Sequence, residues 1–256
     1  MKEIIAVKRL VKIYEGASST KALNDVSLNV NEGDFICIMG PSGSGKSTFL
    51  NIIANIDVPT QGAVEFNGKN IFEMSESKVG EFRRDNIGYV FQDFNLIDTL
   101  TVGENIRVPL TLANKSKSEC NDRVAEIADK LNISELLDKF PSECSGGQRQ
   151  RAAAARALVL NPKMIVADEP TGNLDTKNSH DMLKILKERN EKEGIAIVMV
   201  THDSMVASYA KRLLFLRDGK IDDSLEKGNL TQKEFFYKIV DITSKESQGL
   251  FEVIGS

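Results

Sequence analysis

Residues Gly40 to Thr48 read GPSGSGKST, and their types and spacing carry the first chemistry in this chain. A glycine, four residues and then Gly-Lys-Ser let a backbone wrap phosphate oxygens with N–H groups, because glycines accept the backbone angles such a wrap needs. Lys46 can reach β/γ-phosphates and Ser47 can ligate Mg²⁺. Gly40, Ser42, Gly43, Ser44, Gly45, Lys46, Ser47 and Thr48 are therefore the nucleotide-binding candidates. The context agrees: the strand-like FICIM leads in, and Phe49, Leu50, Ile53 and Ile56 stripe the helical segment that leads out. A chance glycine-rich turn would lack both.

Farther along, MIVADE ends an apolar run in two adjacent carboxylates, Asp168 and Glu169. Alone, such an ending is an ordinary solvated strand end. In a chain that also holds Lys46 and Ser47, Asp168 can serve a Mg²⁺ shell and Glu169 can activate water for in-line attack on a γ-phosphate. His202 directly follows the strand AIVMVT, at the end where doubly wound sheets place ligands, which points it toward the γ-phosphate. A second Ser-Gly-Gly opens the helical ECSGGQRQRAAAARAL, where Ser145, Gly146, Gly147 and Gln148 offer N–H groups at a positive dipole end. One nucleotide is already served by the first loop. Either Ser145 is simply an N-cap and the glycines a tight turn, or this helix start covers ATP held by a second copy related by a two-fold axis.

Those residues need a frame. IIAV, VSLNV, a turn at Asn31 to Gly33, FICIM, and AVEF closed by Asn67-Gly68 make the first third β-rich. From about Asp93 to Val159 the pattern turns helical, with Val124, Ile127, Ala128 and Leu131 at helical spacing and RAAAARAL of high helix propensity, which predicts an inserted helical lobe. MIVAD and AIVMV then flank a charged helical segment over 177–192, and LLFL turns at Asp218-Gly219. Strand, helix, strand with continuous apolar strands predicts a parallel α/β sheet. Phe235, Phe236 and Tyr237 near Ile239 and Val240 predict one short helix packed on the body.

The 256 residues, 41% apolar and 27% charged, have the composition of an ordinary globular protein. A net charge of -4 and a pI near 5.4 argue against sequence-independent nucleic-acid binding, so no nucleic-acid partner is expected. The longest apolar runs, such as Ile195 to Val200, are far short of a membrane span, and MKEIIAVKRL lacks a secretory stretch, so a cytoplasmic protein is expected. Cys37, Cys120 and Cys144 are odd in number and without metal-ligand spacing, as reduced, packed thiols would be.

Taken in order, these motifs resemble those of the ATP-binding subunits of ABC transporters, over roughly residues 3 to 222. The resemblance brings in Tyr14 as an adenine-stacking aromatic, Gln92 in VFQD, and the D-loop GNLD with Asn173 and Asp175. It implies an α/β fold, a RecA-like P-loop core with an N-terminal antiparallel β subdomain and an inserted helical subdomain. The ATPase domain would span 1–222, with its core at about 1–92 and 159–222 and the helical subdomain at about 93–158, followed by a helical tail over 223–256. It further implies catalysis by Glu169, His202, Gln92 and Lys46, a metal shell of Ser47, Gln92 and Asp168, ATP and Mg²⁺ as cofactors, and an ATP-sandwich homodimer closed by SGGQ. Cys144 stands where a bulkier aliphatic often precedes the signature serine, and is expected to pack and not to react.

A narrower likeness lies in EFRRDNIGYVFQDFNLIDTLTVGENIRVPL, DEPTGNLD and MVTHDSMVASYAKRLLFLRDG. These stretches resemble the ATPases of bacterial peptide-antibiotic exporters, the bacitracin and lantibiotic (BceA-like) type within the MacB, LolD and FtsE group. That type implies an integral membrane permease as partner, a peripheral place on the cytoplasmic face of the membrane, resistance to antimicrobial peptides, and a sensor kinase reached through the permease. Lipoprotein release, macrolide efflux and an FtsE-like role in division are the alternatives within the group. Phe94 to Thr101, immediately after Gln92, is the segment expected to dock a permease helix.

Overall fold

Residues 2–16 and 19–254 are described by a computed structural model, with residues 246–254 described by backbone alone. Among them, β1 (Glu3–Tyr14), β2 (Thr20–Asn31), β4 (Gln61–Phe66) and β5 (Lys69–Asn70) form an antiparallel sheet in the order β2-β1-β4-β5. A second sheet orders β10 (Lys220–Glu226), β9 (Arg212–Arg217), β3 (Phe35–Met39), β8 (Ala196–Val200), β7 (Met164–Asp168) and β6 (Ile87–Val90). All neighbours in it run parallel except β10, which closes one edge antiparallel to β9.

The central strands are apolar on both faces because both faces are covered. Ile36 and Ile38 of β3 point into a core shared with the antiparallel sheet and with Phe49, Leu50, Ile52 and Ile53 of α1 (Lys46–Ile53). Phe35, Cys37 and Met39 point the other way. There they meet α3 (Val102–Leu112), α4 (Lys117–Lys130), α5 (Gly146–Leu158) and α6 (Thr176–Glu193) through Ile106, Ile127, Ala154 and Leu186. Alternation at period two thus feeds two cores from one strand. Truncating Phe49, buried at 1% exposure, would cost about 3–5 kcal/mol. The register pairs Asp168 with Val200 and Ile38 with Val200, so the loops after β3, β7 and β8 emerge together at one sheet edge. That edge carries the site.

Two elements differ from the sequence reading. Helix α2 (Glu76–Asn86) lies ahead of residue 93, where no helix was expected; only Phe82 of it is buried, so its charged sequence carries almost no apolar stripe. The tail is also longer than the expected short helix. β10 runs across residue 222, and after the brief α7 (Ser204–Ala207) and this last strand, α8 spans 23 residues from Gln232 to Ile254. Phe235 and Ile239 seat its first turns in the core, and an Asp241–Lys245 pair spaced i,i+4 supports the next. Among the described residues no helix is long and apolar enough to cross a membrane.

Candidate active site

The chain turns out of β3 at Gly40, whose φ is 155°, and any Cβ there would overlap the carbonyl oxygen of Leu216. At Gly45 φ is 101°, and a Cβ would overlap the carbonyl of Ala22. Gly45 is also the N-cap of α1, and no side chain caps the helix, so its first N–H groups face outward unclaimed by side chains. Lys46 folds back over this loop, donating from Nζ to the carbonyls of Gly40 (2.9 Å) and Pro41 (2.8 Å). Burial lowers its pKa, and the nearby Glu169 and Asp168 charges oppose that shift. Ser44, 3% exposed, has an Oγ with no hydrogen-bond partner among the described residues.

The loop forms one wall of a cavity of about 460 Å³, which Gln92, Asp168, Glu169 and His202 line from the other side. Ser47 Oγ donates to Asp168 Oδ1 at 3.3 Å. Burial pushes the Asp168 carboxyl above its ordinary range, the Ser47 bond opposes this, and the Glu169 charge adds to it. Glu169 adopts φ 44°, the left-handed region that few non-glycine residues enter, and its N–H donates to Val200 O at 3.1 Å. Its carboxylate is held at both oxygens: Thr201 Oγ1 donates to Oε2 at 3.0 Å, and His202 Nδ1 lies 2.9 Å from Oε1. The Glu169 side chain is 15% exposed and His202 77%. Here the imidazole has the Glu169 carboxylate as partner, an orienting contact that the sequence reading did not foresee when it aimed His202 at phosphate.

Other expected residues sit around this centre at different ranges. Gln92 packs on Gly172, where a Cβ would stand 2.9 Å from Gln92 Nε2. Asn173 Nδ2 donates to Gln92 O (3.1 Å) and Asp93 Oδ1 (3.0 Å). Asp175 caps α6, accepting from the Asn178 backbone N–H at 2.9 Å and from its Nδ2 at 2.7 Å. Tyr14 does not line the cavity. Its ring is 43% exposed at the rim, its hydroxyl donates to Asp57 Oδ2 (2.8 Å) and lies 3.5 Å from Thr48 Oγ1, and Lys12 Nζ stands 4.7 Å from the ring centroid. Ser145 to Gln148 are also absent from it. They close a reciprocal cap on α5, Gln148 N–H donating to Ser145 Oγ (3.4 Å) and Ser145 N–H to Gln148 Oε1 (2.8 Å). Cys144 beside them is buried, its Sγ directed to Phe140 O at 3.5 Å, and burial pushes its thiol pKa up.

The residues fit a nucleoside triphosphate: glycines in a turn that admits no Cβ at Gly40 or Gly45, an ammonium and an uncapped helix start converge on one cavity. They also fit Mg²⁺, which takes one or two protein oxygens and completes its shell from phosphates and water. Ser47 and Asp168 supply such oxygens side by side, and among the described residues no cluster of His, Cys, Asp and Glu offers a self-sufficient metal cage. Sequence reasoning missed Thr201, although a hydroxyl next to His202 at a strand end was a visible signal. It also missed Ala22 and Asp57, for which no local signal exists.

Comparison with known proteins agrees with this geometry. The family described as "ABC transporter" matches residues 23–172. The chain is 46% identical over 244 residues to the ABC transporter ATP-binding protein YxdL of Bacillus subtilis strain 168, covering 95% of each. It is 43% identical over 220 residues to the bacitracin export ATP-binding protein BceA of Halalkalibacterium halodurans, covering 86% of this chain and 87% of that one. Among solved structures, the dimeric post-hydrolysis state of the cassette MJ0796 of Methanocaldococcus jannaschii, bound to ADP and Pi, superimposes with a TM-score of 0.82 at 40% identity, covering 87% of this chain and 98% of that chain. A phosphate cradle with an ammonium and two strand-end carboxylates, on a chain matched this far by these relatives, places the protein in the ABC transporter family, as one of its ATP-hydrolysing cassettes.

Proposed function

We propose that this cassette powers a membrane permease that confers resistance to antimicrobial peptides of the bacitracin or lantibiotic kind, and that it works as an ATP-sandwiched homodimer. One observation carries the dimer: Lys46, Ser47, Asp168 and Glu169 share a cavity, while the second phosphate-ready helix start, at Ser145, lies outside it. Two copies in two-fold symmetry complete two sites. The likeness to a bacitracin export ATP-binding protein supports the peptide assignment.

In this reading Tyr14 stacks adenine, the Gly43 to Thr48 backbone and Lys46 hold the phosphates, and the second copy's Ser145 and Gly147 face the γ-phosphate with Asn173 and Asp175 alongside. Ser47, Gln92 and Asp168 would hold Mg²⁺, which when bound would supply charge neutralisation to the phosphates. Glu169 is the general base. Thr201 and His202 fix both its oxygens, so the carboxylate is aimed before substrate arrives. Water attacks the γ-phosphorus, its proton passes to Glu169, and the bond to the β,γ-bridging oxygen breaks to leave ADP. His202 then reads the γ-phosphate through the same carboxylate it orients.

Phe94 to Thr101 docks a cytoplasmic helix of the permease; Ile97 stands 43% exposed within it, beside an N-cap at Thr101 that starts α3. In this reading the chain works at the cytoplasmic face of the membrane, with a sensor kinase addressed through the permease. The test is to tag the Glu169→Gln chain, solubilise host membranes with ATP present, and identify what copurifies. A permease with a large extracellular domain, together with bacitracin sensitivity on deletion of the gene, is the expected result. Recovery of lipoprotein-release, macrolide-efflux or division proteins would overturn the peptide assignment and leave the ATPase standing.

A further inference from the structure

Helix α5 carries a glutamine where its packing asks for an apolar residue. Gln150 is 1% exposed on a face it shares with Gly147, Ala153 and Ala154, all buried. Burying an amide there is unfavourable unless its groups are bonded. Both hydrogens of Nε2 are used: one goes to Phe91 O at 3.2 Å and one to Pro170 O at 2.7 Å, while Oε1 has no partner among the described residues. The orientation is fixed by that asymmetry, since a flipped amide would set an oxygen against two carbonyls.

The acceptors matter more than the bonds. Phe91 immediately precedes Gln92, and Pro170 immediately follows Glu169. Gln150 itself stands five residues after Ser145 on the same helix, about 8 Å along its axis. The rest of α5 leaves little slack around this bond. Gly88 of β6 admits the helix so closely that a Cβ would stand 2.5 Å from Ala157 O. Arg156, farther along α5, donates to Asn95 O at 2.6 Å and Phe94 O at 3.1 Å, residues with φ of 48° and 62°. The Gln92 segment is thereby pinned on both sides by one helix.

We infer that Gln150 is a positioning residue that ties the Ser145 helix to Gln92 and Glu169 of its own subunit, so that closing of the helix start on the second copy's nucleotide aligns the base at the subunit's own site. This rests on the sandwich reading given above. An amide that merely satisfied two buried carbonyls would matter for folding alone. A coupling strut matters for turnover after the dimer has formed.

The experiment uses the full chain with Gln150→Met, which keeps volume and removes both donors, and Gln150→Asn, which keeps the amide and shortens its reach. Three quantities are read: the melting temperature without nucleotide, ATP-driven dimerisation in the Glu169→Gln background by analytical ultracentrifugation, and steady-state kcat and KM for ATP. The expected result for both variants is dimerisation and KM within about 3-fold of the parent and kcat lower by roughly 10-fold or more, the scale of a small misplacement at the base. If Gln150→Met fails to fold, Gln150→Asn is read alone. A lowered melting temperature with kcat within about 2-fold of the parent overturns the inference. If the Glu169→Gln parent itself stays monomeric with ATP, the sandwich falls and with it the coupling, whatever kcat does.

Discussion

Two helix starts in this molecule are the ones proposed to meet phosphate, and they treat their free N–H groups in opposite ways. At α1 the N-cap is Gly45, left-handed and with no side chain to spend on the helix, so the donors stay open toward a cavity that also holds Lys46. At α5 the N-cap is Ser145, whose hydroxyl and backbone N–H are both exchanged with Gln148 of the same turn. The first start leaves its donors open and has the Lys46 ammonium beside them. The second is satisfied alone, with the Lys139 and Arg149 cations near enough to act on Cys144 beside it. A helix start that is content without ligand suits brief contact with a nucleotide held elsewhere.

The sharpest way to break this contrast is at Glu169. Glu169→Gln keeps the shape that Thr201 and His202 grip but removes the proton acceptor, and phosphate release should fall by roughly 10² to 10⁴. The same variant should collect as an ATP-bound dimer by ultracentrifugation. Release at the parent rate would remove Glu169 from the role of base.

Complementation tests whether the two starts serve one nucleotide. Lys46→Ala should inactivate the first region and Ser145→Arg the second. If each nucleotide is shared, mixing the two dead chains restores one intact site in every mixed dimer, and turnover returns to roughly a quarter of the parent. A mixture as inactive as its components would mean that each chain works on its own nucleotide. The glycines give the same contrast at smaller scale. Gly45→Ala forces a side chain into a left-handed position against Ala22 O and should lose stability by about 1–3 kcal/mol in chemical denaturation, as well as nucleotide binding. Gly146→Ala meets Asn173 O at 3.4 Å and the Leu174 and Phe94 side chains at 4.0 Å, ordinary contacts, and should fold normally while weakening ATP-driven dimerisation.

What could be read from the sequence followed how local each signal was. The 40–48 loop was legible because its glycines, lysine and serine are contiguous, and β3, β7 and β8 because strands covered on both faces are unbroken apolar runs. α2 was not, since one buried residue makes no periodic pattern. The grip on Glu169 was not legible either: it depends on the β7–β8 register, which sets Asp168 opposite Val200 and so brings Glu169 beside Thr201 and His202, 33 residues on. Gln150 looked like one more polar residue in QRQR, and only the approach of Phe91 and Pro170 gives its burial a reason. The Tyr14 hydroxyl's tie to Asp57 spans 43 residues and left no trace in either neighbourhood.

The smallest effect separates the two regions by sign. Asp168, in the first, has its carboxyl pushed up by burial; Asp175, beside the second, is held below the usual range by the backbone N–H and side chain of Asn178. For Asp175 the unfolded chain binds the proton more readily, so its cap stabilises the fold above the unfolded value of about 3.9 and the benefit fades as pH falls through the lowered folded value. For Asp168 the folded chain binds the proton more readily, so stability declines as pH rises from about 3.9 through the raised folded value. In thermal melts without nucleotide or Mg²⁺ at neutral pH, Asp175→Ala should therefore melt below the parent and Asp168→Asn above it. The Asp168→Asn gap should close at pH values near or below 3.9, where that carboxyl is protonated in both states, and the Asp175→Ala gap should narrow further down, toward the cost of the lost cap alone. If Asp168→Asn melted below the parent at neutral pH, the carboxylate would be stabilising its own loop, and the idea that the first region holds its charges at a cost recovered only with ligand would fail.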